Sequence, residues 1–83
     1  MWMVKTLHSP AYEFFCSLLI VARETAGLTQ SDVASRLERP QSFVSKYESG
    51  ERRLDVLEFL QICQVLDADS QAILNAVQLR MDA

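Results

Sequence analysis

Residues 28–50 read LTQSDVASRLERPQSFVSKYESG, and in this stretch Gln41, Ser42, Ser45 and Lys46 offer an amide, two hydroxyls and one ammonium within six positions. Carried on one helix face, such donors and acceptors match the hydrogen-bonding edges that base pairs expose in the major groove. Other chemistry lacks the residues for it. His8 is the single histidine, and Cys16 and Cys63 are the two cysteines, each inside an apolar run, FFCSLL and LQICQVL. One histidine and two distant cysteines do not make a zinc site of familiar spacing. No Ser-His-Asp or Cys-His set is credible around His8. The chain is expected to be no enzyme, to carry no metal or cofactor, and to keep both thiols buried and reduced.

Those polar side chains share a face only if the segment is helical and its opposite side is anchored. The periodicity supports five helices and no convincing strand, giving an all-α, compact five-helix domain. The first helix spans Pro10 to Ala26, with Ser9 as N-cap, Pro10 at the first helical position and Gly27 as the stop. Phe15, Leu19, Ala22 and Ala26 form its inner face, and Phe14, Leu18 and Val21 a second apolar stripe. The second helix spans Gln30 to Leu37 behind a Thr29-x-x-Asp32 capping box, with Val33, Ala34 and Leu37 inward. Pro40 biases Arg39 away from helix, so a turn separates it from the third helix, Gln41 to Ser49, which Gly50 ends. Val44, Tyr47 and Glu48 lie on the inner side of that helix; Gln41, Ser42, Ser45, Lys46 and Ser49 lie on the outer side. Asp55 caps a fourth helix with Val56, Phe59, Leu60, Cys63 and Leu66 as its stripe, and Ser70 caps a fifth carrying Ile73, Leu74, Val77 and Met81.

Two short helices joined by a tight turn, with a small residue, Ala34, at their closest approach, form a helix-turn-helix at helices 2–3. The segments RETAGLTQSDVASRL and QSFVSKYESGERRLDVLEFLQICQVL resemble the phage repressor/Cro-type, or Xre, family over about residues 23–66. The resemblance implies a sequence-specific double-stranded DNA-binding transcriptional regulator. It implies base reading by Gln41, Ser42, Ser45 and Lys46, and DNA-backbone contact by Gln30, Phe43, Ser49, Arg52 and Arg53. It further implies that Arg23 and Glu48 form a structural ion pair, since an unpaired carboxylate on the inner side of helix 3 would be costly. Plainer roles stand beside several of these. Gln30 can simply open its helix, Ser42 and Ser45 can simply permit close approach, Phe43 can shield the core, and Arg52 and Arg53 can form a solvated turn.

Two positions depart from the family pattern. Glu38 stands where the turn usually has glycine, and a left-handed conformation there would cost about 1 kcal/mol or more. Pro40 stands where a capping Ser or Thr is usual.

The chain has 83 residues, 49% hydrophobic and 23% charged, with a net charge of −3. The length suits one domain, read as an N-terminal extension over 1–8, partly flexible, and a single helix-turn-helix domain over 9–83. An acidic total argues against a nucleic-acid partner until it is divided along the chain. Residues 1–22 are neutral, residues 23–54 carry +1 and residues 55–83 carry −4, so the acidic excess is expected to face away from a duplex. The apolar run Phe14 to Ala22 is too short to span a bilayer, and a soluble, cytoplasmic protein is expected. One copy offers a single half-site, so a homodimer on a near-palindromic operator is expected, with the leftover stripes of helices 1 and 5 as candidate interface. The alternative is a protein-interaction module, such as an antitoxin or transcription-machinery adaptor, binding a protein partner through the acidic C-terminal helices.

Overall fold

A computed structural model describes residues 9–82, so the segment 1–8 and His8 lie outside the described residues. Five helices follow in order: α1 (Pro10–Thr25), α2 (Gln30–Leu37), α3 (Gln41–Ser49), α4 (Val56–Leu66) and α5 (Ser70–Asp82). Their ends are set by local chemistry. Ser9 accepts from the Tyr12 N–H, while Thr29 with Asp32 and Asp55 with Glu58 close capping boxes on α2 and α4. α1 stops one residue earlier than expected. Ala26 is its C-cap, Gly27 turns left-handed at φ 74°, and the Leu28 N–H reaches back to the Arg23 carbonyl at 3.2 Å. α5 begins on Ser70 rather than after it. Its cap is Asp69, whose Oδ1 accepts from the Ala72 N–H at 3.1 Å. Either residue type can cap a helix.

α2 and α3 pack against each other, α1 packs on α3 and α5, and α4 packs on α2 and α5. The core joins Leu19, Val33, Ala34, Phe43, Val44, Tyr47, Phe59, Ile62, Cys63, Leu66 and Ile73. The α4 stripe is rotated from the expected one. Ile62 is fully buried, whereas Val56 is 71% exposed and Leu60 is also exposed. Phe59, Ile62, Cys63 and Leu66 keep the i, i+3, i+4, i+7 spacing, and Val56 lies a turn before the core begins. Leu74 and Met81 of α5 are exposed too, as is Ala26. Of the second stripe on α1, Leu18 packs on the core, Phe14 is covered by the Arg80 guanidinium at 4.0 Å, and Val21 stays exposed.

Cys16 and Cys63 are free and buried, and burial raises both thiol pKa values above the ordinary range. No helix among the described residues is long and apolar enough to cross a membrane.

Candidate nucleic-acid interface

α3 is anchored on one side and open on the other. Val44 and Tyr47 are wholly buried against Val33 and Ala34 of α2. Gln41, Ser42, Ser45, Lys46 and Ser49 are all exposed. The turn that sets the two helices at an angle rests on Glu38, left-handed at φ 57° and ψ 43°. Pro40 is the N-cap of α3 and gives no side-chain cap, so the first amides of the helix point outward without a side-chain partner.

Behind this face lies a polar chain. Arg23 grips Glu48 with two bonds, Nε to Oε2 at 2.7 Å and Nη2 to Oε1 at 3.2 Å, and holds the Leu28 carbonyl with Nη1 at 3.0 Å. The pair is well covered, with the Glu48 side chain 5% exposed. Bonding to Glu48 raises the Arg23 pKa further, so the guanidinium stays charged. Gln30 Nε2 donates to Glu48 Oε1 at 2.9 Å, and Gln30 Oε1 accepts from Gln41 Nε2 at 3.3 Å. Ser31 Oγ donates to Gln41 Oε1 at 3.3 Å. The amide at the start of α3 is thus held from two sides by side chains of α2.

A second cluster flanks the helix. Two guanidiniums lie over the Phe43 ring, Arg39 at 4.2 Å and Arg52 at 4.9 Å from its centroid. Glu58 ties both together, accepting from Arg52 at 2.9 and 3.0 Å and from Arg39 at 3.3 Å. The Arg52 bonds, followed by the Asp55 backbone N–H, hold the Glu58 pKa down at about 2.

A family model described as a helix-turn-helix domain matches residues 17–75. No curated protein matches the chain significantly. Among solved structures, an XRE-family like protein from Pseudomonas syringae pv. tomato str. DC3000 is 47% identical, with a TM-score of 0.83, covering 93% of this chain and 94% of that chain. The chain is an Xre-type helix-turn-helix DNA-binding protein.

Set on this Xre-type fold, the expected site residues divide into groups. Gln41, Ser42, Ser45 and Lys46 come together on the open face of α3, with Gln30 half-buried beside Gln41. Ser49 sits at the end of that face, its hydroxyl donating to the Lys46 carbonyl at 3.1 Å. Arg53 is exposed and stacked over the Tyr12 ring at 4.1 Å. Phe43, expected at the DNA backbone or as a shield over the core, is part of the core. It is 7% exposed, packs edge-on against Tyr47, and has the Arg39 and Arg52 guanidiniums over its ring. Arg52 is already partnered by Glu58, so a phosphate must compete for it. The acidic excess of the C-terminal helices is also not wholly turned away, because Glu58 belongs to the Phe43 cluster. Division of charge by segment misses such a pairing across elements.

Ser31, Arg39 and Glu58 were not expected at the interface. The Asp55-x-x-Glu58 capping box marks Glu58 in the sequence, but nothing local announces that its carboxylate also meets two arginines. Ser31 meets Gln41 only because α2 and α3 cross there.

Proposed function

We propose that this Xre-type protein is a sequence-specific, double-stranded DNA-binding transcriptional regulator that acts in the cytoplasm as a homodimer on a near-palindromic operator. The exposed face of α3 carries this reading: Gln41, Ser42, Ser45 and Lys46 stand clear of the core on a helix whose opposite side is locked by Val44 and Tyr47. A helix presented this way enters the major groove. Gln41 then pairs with adenine through its amide, and Lys46 bonds a guanine edge or a phosphate. Gln30, Ser49, Arg52 and Arg53 border that face and set the docking against phosphates without reading sequence.

Dimerisation supplies the second half-site. Exposed apolar side chains support it: Val21 on α1 and Leu74, Leu79 and Met81 on α5, the helices expected to form the interface, with Val56, Leu57 and Leu60 on α4 as well. The same surface also supports the second reading, a module that docks a protein partner. Selection from randomised duplexes, with solution mass measured on the free and bound chain, tests both. A preferred near-palindrome bound by two copies is expected, and Gln41→Ala and Lys46→Ala weaken it while leaving the fold intact. Failure to enrich any duplex, with tight capture of one protein partner, refutes the DNA reading and favours the adaptor.

A further inference from the structure

We propose that Ser31 is a positioning residue for base readout, pinning the Gln41 amide so that it presents one fixed donor–acceptor pair to the groove. The inference rests on Gln41 reading a base. Glu48, ion-paired with Arg23, offers acceptors only. Gln30 must therefore turn its NH2 group to Glu48, at 2.9 Å, and its carbonyl oxygen to Gln41. That oxygen takes one N–H of Gln41, at 3.3 Å, which sets the polarity of the Gln41 amide. Polarity alone does not hold the plane of the amide, since a single bond leaves the side chain free to swing. Ser31 supplies the second anchor, donating to Gln41 Oε1 at 3.3 Å from the first turn of α2.

One N–H and one carbonyl lone pair of Gln41 remain unused by these bonds. On an exposed residue, such a donor and acceptor match an acceptor next to a donor, the N7 and N6 positions of adenine. Ser31 itself is exposed and outside the core, so its hydroxyl is separable from the stability of the fold.

The test uses duplexes enriched by the native chain from a randomised library, re-measured with every base pair replaced in turn. Gln41→Ala identifies the pair that Gln41 reads, as the one position where discrimination collapses. Ser31→Ala is expected to lower the preference for the favoured base at that pair by about 2–10-fold, the size of one hydrogen bond. The other positions and the melting temperature stay unchanged. Ser31→Thr, which keeps the hydroxyl, restores the preference. Discrimination unaltered by Ser31→Ala, or lost equally in Ser31→Thr, overturns the inference while DNA recognition stands. So does a profile in which Gln41→Ala flattens no position. A native chain that enriches no duplex overturns the inference together with the reading beneath it.

Discussion

Replacement of Glu58 by glutamine should move stability and DNA affinity in opposite directions. The Glu58 carboxylate accepts from Arg52, Arg39 and the Asp55 N–H, and its pKa falls from an ordinary 4.5 to about 2. Taken in full, that displacement corresponds to about 3 kcal/mol in favour of the folded state. Both arginine side chains are 41% exposed, however, so water and salt screen the pair, and about 1–2 kcal/mol is the expected loss in Glu58→Gln. For a domain of this size that lowers Tm by roughly 5–15 °C. The pKa is depressed on folding, so the contribution is complete above pH 4.5 and fades as pH falls toward 2. Melting curves of native chain and variant should therefore converge across that window. Binding should shift the other way. Two guanidiniums released from Glu58 reach for phosphate, and the dependence of affinity on salt steepens by about 1–2 in the logarithmic slope. Duplex titrations over a salt series measure it. A stability gap that persists unchanged to pH 2, or affinity that falls with an unaltered salt slope, refutes this account of the cluster.

Arg23→Met leaves Glu48 buried without its cation and frees the Leu28 carbonyl; a loss of about 3–5 kcal/mol is expected in denaturant unfolding. Glu38→Gly relieves a left-handed side-chain residue and should raise stability by about 1 kcal/mol, measured as a higher denaturant midpoint at constant slope. Tyr47→Phe removes a buried hydroxyl that has no hydrogen-bond partner among the described residues, so stability should hold or rise by about 1 kcal/mol. Burial pushes the Tyr47 pKa up, so the unfolded chain ionises first and stability falls as pH rises above 10; Tyr47→Phe should remove that alkaline loss from a Tm-versus-pH series.

Much of the frame was legible because its causes are local. Thr29-x-x-Asp32, Gly27 and Gly50 start or stop helices through bonds that span three to five residues, and α2 and α3 run over the expected residues. The outer face of α3 followed from the same periodicity, since Val44 and Tyr47 must turn inward and Ser42, Ser45 and Lys46 then cannot. The sequence by itself thus determined the helices, the tight turn and the face of α3 turned to solvent. Tertiary structure alone decided how α2 and α3 cross, and with it the meeting of Ser31 and Gln30 with Gln41. It also decided that Ile62 rather than Val56 enters the core, that Phe43 is buried beneath two arginines, and that Glu58 closes on both. These depend on the relative placement of separate helices, and side-chain spacing along one helix carries no information about which residue of another helix will stand opposite it.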